Sequence, residues 1–150
     1  MSYLLDTNVV SEAKRSQPDE RVLQWLASQP LTTTYLSVIT IGELEEGITA
    51  LGETHRAGAL RAWLEGLSES FSGRTLEVDR AVATTWGRIQ TAAKQQGRTP
   101  PAIDALIAAT AITHDLTLVT RNIEDVAVLP VKTFNPWTFA SRSYPGEELG

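Results

Sequence analysis

Pro101-Ala-Ile-Asp-Ala-Leu-Ile-Ala-Ala-Thr-Ala-Ile-Thr-His114, continuing as Asp115-Leu-Thr-Leu-Val-Thr-Arg-Asn-Ile-Glu-Asp125, is the stretch from which the fold can be read. Its first half has the small and aliphatic residues of a helix that is apolar on nearly every side. In its second half, Leu116 to Thr120 reads as a short strand that ends at Arg121-Asn122. Between Ala102 and Ile112 the single charge is Asp104. An ionised carboxylate in apolar surroundings has to be paired, hydrogen-bonded or bound to metal, because leaving water without a partner is strongly unfavourable. Pro100 and Pro101 suit a helix start, so Asp104 falls in the first turn, where the helix dipole favours a negative charge by roughly 0.3–1 kcal/mol. That accounts for an acid at a helix start, but not for one set between Ile103 and Leu106 in a buried run. Asp104 is therefore a candidate functional carboxylate.

Working outward, the same alternation of helix and strand extends over the chain. Tyr3-Leu4-Leu5 is a short strand ending at Asp6, and Thr7-Asn8 open a helix. Pro18-Asp19-Glu20 begins a helix that Pro30 closes, with Val22, Leu23, Trp25 and Leu26 on its apolar side. Leu31 to Leu36 is predicted as a strand, and Ser37 as the cap of a helix through Leu51 in which Ile41, Leu44, Ile48 and Leu51 recur at helical spacing. Glu43 lies near that helix's start beside Gly42, which leaves room for an approaching ligand. A further helix covers Thr54 to Leu67, a strand Arg74 to Val78, and a helix capped by Asp79 runs to about Gln96, with Val82, Trp86, Ile89 and Ala93 as its buried stripe and Arg88 and Lys94 facing solvent. Val131 to Phe134 is the last strand and Asn135-Pro-Trp137 a turn with a docking aromatic. His114 gains from its place at a helix C-terminus and needs no ligand role. The resulting order, β-α-α-β-α-α-β-α-α-β-α-β, requires crossover connections, so the expectation is an α/β fold in three layers, a mainly parallel central sheet flanked by helices. Residues 1–140 make one domain, and 141–150 a mobile polar tail.

Composition narrows the classes. With 150 residues and 42% hydrophobic side chains, one globular domain with a real core is expected. Acids outnumber bases 18 to 13, for a net charge of -5. That speaks against a purely electrostatic nucleic-acid binder, but a site built to hold cations needs carboxylates of its own. The absence of cysteine excludes disulfides, thiolate catalysis and Cys-based zinc sites. Neither a secretion signal nor an apolar run of membrane-spanning length is present, so a cytoplasmic protein without membrane contact is the expectation.

Four acids stand at comparable places in this order: Asp6 after the first strand, Glu43 in the helix after the second, Asp104 at the start of the buried helix and Asp125 beyond the Leu116 to Thr120 strand. In a parallel sheet the ends following the strands share one edge, so the four carboxylates are expected to converge there. Like charges so close repel unless cations sit among them, and an all-oxygen site without His or Cys suits Mg²⁺, with Mn²⁺ as a substitute.

Leu5-Asp-Thr-Asn-Val-Val-Ser-Glu12, Ile41-Gly-Glu-Leu-Glu-Glu-Gly47, Ile103-Asp-Ala-Leu-Ile-Ala-Ala-Thr-Ala111 and Leu118-Val-Thr-Arg-Asn122, followed by Asn135-Pro-Trp137, resemble in sequence and in order the PIN-domain ribonucleases, specifically the VapC-type toxins of toxin–antitoxin pairs. The resemblance runs from the first strand to about Trp137. It implies a PIN-like nuclease domain and a Mg²⁺-dependent endoribonuclease, a hydrolase of the EC 3.1 class. It also implies a homodimer that cleaves RNA and is restrained by a cognate antitoxin protein, which inserts a segment near the active site and brings the toxin to operator DNA. Carried over by position, Asp6, Glu43 and Asp104 match the family's acids as catalytic metal ligands. The fourth acid falls at Asp125, acting directly or through water, or its place is taken by Asn122, with Glu124 facing solvent. Asn8, Thr120 and Asn122 would support the site by hydrogen bonds, and Arg121, then Arg98, would contact RNA phosphates. Attack by activated water leaves 5′-phosphate and 3′-hydroxyl ends.

Two other classes place an Asp after a first strand. A haloacid-dehalogenase-like phosphatase wants a second Asp two residues on, where this chain has Asn8. A receiver-type signalling domain wants adjacent acids there and a late Lys, where this chain offers Arg121. A binding module without activity is the remaining alternative, and the retained acids do not favour it.

Overall fold

Five short strands, β1 (Tyr3–Leu5), β2 (Thr34–Ser37), β3 (Thr75–Leu76), β4 (Thr117–Val119) and β5 (Thr133–Phe134), pair in the order β3-β2-β1-β4-β5, every pair parallel. A computed structural model describes residues 1–139, so the tail predicted over 141–150 lies outside the described residues. Leu4 faces Tyr35 and Leu118 in register, and Leu5 faces Val119. Because both faces are covered, the central strands are largely buried: β4 has all three residues buried.

The helices are α1 (Thr7–Glu12), α2 (Glu20–Ser28), α3 (Val38–Thr49), α4 (His55–Ser70), α5 (Arg80–Gln95) and α6 (Ala102–Thr113). On one face of the sheet Val82, Ile89 and Ala93 of α5 and Ala105, Ala108 and Ala109 of α6 pack with Leu4 and Leu118. The small side chains of α6 allow it to approach α5 and the sheet closely. On the other face Val9, Val22, Trp25, Leu44, Ile48 and Leu64, from α1 to α4, pack with Leu5, Leu36 and Val119. The three-layer parallel architecture expected from the alternation is thus the observed one. Among the described residues no helix is long and apolar enough to cross a membrane.

The strand order also sets where a site can form. The chain leaves β1 for β2 on one side through α1 and α2, and enters β4 on the other side of β1 from α6. The C-terminal edge between β1 and β4 is therefore the point where connections part to opposite faces, the usual crevice of open α/β sheets.

Several expectations need correction. Leu31 to Thr33 is a 3₁₀ turn and not strand: the hydroxyls of Thr33 and Thr34 donate back to the carbonyls of Pro30 and Leu31 (2.7 and 2.8 Å), a local alternative to the sheet that Thr side chains offer. The predicted helix after the β4 strand is a 3₁₀ turn, Ile123–Val126. Trp25 and Leu64 are buried in the core (3% and 6% exposed), so neither is open to a partner, and Trp63 is half-buried. Conversely, the start of α6 is more open than its composition suggests: Asp104 is half-buried and Ile103 is exposed. Gly42 is exposed and a side chain there would meet nothing within 4 Å, so its lack of a Cβ opens no room for a ligand.

Candidate active site

Asp6 is the residue that ends β1 and caps α1. Its backbone N–H continues the pairing with β4 by donating to the Val119 carbonyl (2.9 Å), while its side chain accepts from the Thr7 N–H at Oδ1 (2.8 Å). Its Oδ2 accepts from the Thr120 hydroxyl at 2.7 Å, a bond across the β1–β4 crevice between residues buried to 8% and 1% exposure. The Asn8 side-chain amide approaches the same oxygen at 3.4 Å. Burial raises the Asp6 carboxyl above its ordinary pKa against the opposing bonds from Thr120 and Thr7. A carboxylate has acceptor room for more than these three donors, and that residual capacity, on an acid buried against its own ionisation, suits a cation.

Thr120 is held in turn, because its Oγ1 accepts from the Asn122 N–H at 3.0 Å. Asn8 Oδ1 lies 3.4 Å from the Arg121 N–H that donates to it. Asn8, Thr120 and the main-chain N–H of Asn122 thus form a chain of hydrogen bonds that ends on Asp6.

Glu43 arrives from α3 and accepts from the Thr7 hydroxyl at 2.6 Å; the same Thr7 oxygen lies 3.2 Å from the buried Thr40 hydroxyl. Asp104 arrives from the first turn of α6, which has no side-chain cap. Its carboxyl is pushed up to about 6, first by burial and then by the negative charges of Asp6, Asp125 and Glu43. Asp6, Asn8, Glu43, Asp104 and Asn122, with Thr7 and Ser11, line one cleft of about 300 Å³.

Asp125 does not line that cleft. It is exposed and borders two neighbouring ones, the first with Arg121, Asn122, Glu124 and Asn135, the second with Arg98 and Pro101. Its charge nevertheless reaches Asp104. Glu124 is exposed, as expected. Arg121 lies over the ring of Trp137, 5.3 Å from its centroid, and Arg98 sits beside the loop that enters α6. The two arginines thus flank the acid cleft rather than enter it.

Three side chains were not singled out from sequence. Thr7 and Ser11, one helical turn apart on α1, line the cleft with Asp6, and their spacing was the available signal. Glu12 is 3% exposed and accepts from the Asp19 N–H at 2.9 Å, which ties the end of α1 to the start of α2; an acid inside a polar motif carries no sequence mark of such burial.

The donor set is oxygen only, from carboxylates, hydroxyls and amides, and suits a hard divalent ion. Among the described residues no three acidic side chains are already gathered as a cage for a cation. An ion such as Mg²⁺ keeps several waters and takes one or two carboxylates plus substrate phosphate, so the arrangement fits it better than an ion needing a closed protein cage.

Comparison with known proteins bears on the family and the fold. The sequence profile of the PIN domain matches residues 3–127. The chain is 43% identical over 135 residues to Toxin FitB of Neisseria gonorrhoeae, covering 89% of this chain and 97% of the relative. To VapC ribonuclease Y4jK of Sinorhizobium fredii it is 34% identical over 135 residues, covering 89% and 96%. The crystal structure of FitAcB from Neisseria gonorrhoeae superposes with a TM-score of 0.88 at 42% identity, over 91% of this chain and 99% of that one. VapBC2 from Rickettsia felis, solved bound to a DNA fragment from its promoter, superposes with a TM-score of 0.73 at 26% identity, over 90% and 98%.

Proposed function

The chain belongs to the PIN-domain family, among relatives named as a toxin and as VapC ribonucleases, and from that premise we propose that it is a Mg²⁺-dependent endoribonuclease, the toxin of a toxin–antitoxin pair. The observation that carries the reading is the meeting of Asp6, Glu43 and Asp104, separated by up to 98 positions in sequence, in one cleft at the β1–β4 switch point. The phosphatase reading needs a second acid where Asn8 stands, and Asn8 instead bonds toward Asp6; the receiver reading needs an acid adjacent to Asp6, where Leu5 and Thr7 stand.

A bound divalent cation supplies Lewis acidity, which brings the pKa of water toward neutrality and offsets charge on a phosphodiester. Asp6, Asp104 and Glu43 would hold it, with Asn122, which lines the same cleft, at the fourth place; Asp125, exposed outside the cleft, would act through its charge on Asp104. Thr120 and Asn8 fix the Asp6 carboxylate so that little reorganisation accompanies loading. Thr7 orients Glu43. Arg121, with its guanidinium braced on Trp137, and Arg98 on the far side neutralise RNA phosphates leading into and out of the cleft. Because water is the nucleophile, the products carry 5′-phosphate and 3′-hydroxyl ends.

Beside the acid cleft, sharing Thr7, Ser11 and Glu43 with it, a groove of about 430 Å³ runs between α1, α3 and α4. Leu44, Ile48, Leu60 and Trp63 form its apolar lining, and Lys14, Arg15 and Arg56 its cationic rim. An acidic amphipathic segment of the antitoxin fits this groove, and its occupancy covers Glu43. The complex then meets operator DNA through the antitoxin. For a homodimer, the exposed Ile103 beside Asp104 is an apolar anchor, whereas Trp25 and Leu64 belong to the core.

The experiment is RNA cleavage by the purified chain with Mg²⁺, with Mn²⁺ and with EDTA, with analysis of the product ends. Activity should require the metal and fall to background in Asp6→Asn and in Asp104→Asn, with the fold retained by circular dichroism. Cleavage that survives EDTA, or 2′,3′-cyclic phosphate ends, overturns the mechanism.

A further inference from the structure

The buried face of α5 is apolar at Val82, Ile89 and Ala93 but carries one amide, Gln90, at 8% exposure. Its Nε2 donates to the carbonyl of Pro100 at 3.3 Å, in the loop that leads into α6. Its Oε1 has no hydrogen-bond partner among the described residues. The orientation of the amide follows from this: a carbonyl can only accept, so the NH₂ must face Pro100. A half-satisfied amide stabilises a core less than a Leu or Met of the same size would, and a local rule broken in this way points to a role outside general packing.

That role lies at the start of α6. Most helices in this chain begin on a side-chain cap, whether Asp19, Ser37, Thr54 or Asp79; α6 begins at Pro101 without one. Pro100 is buried, and neither proline offers an N–H, so Gln90 is the side chain that grips this loop from the neighbouring helix. Asp104 sits in the first turn, three residues past Pro101, facing the charges of Asp6 and Glu43 across the cleft. Repulsion among these carboxylates acts on the N-terminal end of α6, where, without a side-chain cap, the Gln90 bond to Pro100 joins packing and the first helical hydrogen bond in resisting it.

We propose that Gln90 is a positioning residue, which holds the Pro100 carbonyl so that Asp104 keeps its place in the cleft it lines with Asp6 and Glu43. This rests on the reading of the cleft as a cation site. Gln90→Met keeps size and removes the donor, and Gln90→Asn keeps the amide on an arm too short to reach Pro100.

Mn²⁺ binding to the purified chain, without RNA, is measured by isothermal titration, and amide hydrogen exchange is followed at Ala105, whose N–H donates to the Pro101 carbonyl (3.0 Å). Expected in both variants is an affinity lower by about tenfold, the usual size of a change made one shell away from a ligand. Exchange at Ala105 should be faster, exchange in the middle of α5 unchanged, and the metal-free Tm within a few degrees of the parent. Unchanged Mn²⁺ affinity overturns the proposal, as does a general loss of protection or of folding in both variants, since those mark Gln90 as a packing residue only. A parent chain that binds no Mn²⁺ instead removes the cation-site reading itself, and that outcome is separate from an affinity that is present but indifferent to Gln90.

Discussion

At Asp104 the folded chain holds a carboxylate whose ionisation it opposes. Its pKa stands at about 6, raised by burial and by three neighbouring acids, against an ordinary value of 3.8. A raised carboxyl favours the protonated form, so the stability it contributes is complete below about pH 4 and is lost as the pH rises through 6. At full strength the shift would correspond to about 3 kcal/mol, but the side chain is only half-buried, and screening leaves about 1 kcal/mol. Asparagine mimics the protonated acid at every pH. Metal-free Asp104→Asn should therefore melt about 2–4 °C above the parent at pH 8 and coincide with it near pH 4. With saturating Mg²⁺ the order should reverse, because only the parent gains binding energy on folding. Melting curves at the two pH values, with and without Mg²⁺, decide the matter; an Asp104→Asn chain less stable than the parent at pH 8 without metal would show that Asp104 is paired and not repelled. For Asp6→Asn the gain should be smaller, since one amide oxygen cannot accept from both the Thr7 N–H and the Thr120 hydroxyl as the carboxylate does.

Helices α5 and α6 end in the same way with different residues. After α5, Gly97 takes a left-handed conformation (φ 77), its N–H donating to Lys94 and the next N–H, of Arg98, to Ala93. After α6, Asp115 takes that place (φ 53), its N–H donating to Ile112 and that of Leu116 to Ala111. Both are Schellman endings, in which glycine is the residue without a steric penalty. Asp115→Gly should stabilise the fold by about 0.5–1 kcal/mol, the left-handed strain outweighing the extra chain entropy of glycine. The exposed contact of Asp115 with Lys132, at 3.8 Å, adds little to set against this. Urea denaturation reads the difference directly, and a loss of stability would mean that the Asp115 side chain itself holds the turn. These two endings also show what sequence can convey about elements. Gly97 announced its helix end, whereas Asp115 did so only through the strand that follows. The caps Ser37 and Asp79 were legible because a hydroxyl or carboxylate before an apolar repeat has few other uses. Leu31-Thr-Thr-Thr was not, because threonine serves a strand and a back-bonded turn equally well. In the cleft, Asp6, Glu43 and Asp104 were legible from strand ends and motif order. Thr7, Ser11 and Gln90 were not, since polar residues in helices are ordinarily solvated and only contacts across the fold distinguish them.

On the scale of the whole molecule, the proposed function requires a chain of net charge -5 to admit RNA to an acidic cleft and also to accept an inhibitory protein. The distribution of charge reconciles the two, because the cations near the cleft are segregated. Arg121 and Arg98 stand toward β4 and the α6 loop, while Lys14, Arg15 and Arg56 rim the apolar groove between α1, α3 and α4. Within that groove Lys14 lies over Trp63, 5.7 Å from the ring centroid, so the aromatic presents its remaining face and edge to an incoming side chain. If the groove is the antitoxin's seat, reversing charge at Lys14 and Arg56 should leave the fold intact, since both are exposed. Association with the antitoxin should slow, and the complex should weaken by about tenfold or more at low salt, with a shallower salt dependence than the parent shows. Co-expression with the neighbouring reading frame, purification of the pair and binding kinetics at two salt concentrations provide the measurement. Cleavage by the free Lys14→Glu/Arg56→Glu chain should remain within a few-fold of the parent, because the proposed phosphate contacts lie on the opposite side of the cleft. Unchanged antitoxin binding together with lost cleavage would exchange the two surfaces, making the groove an RNA path and leaving the antitoxin to bind elsewhere.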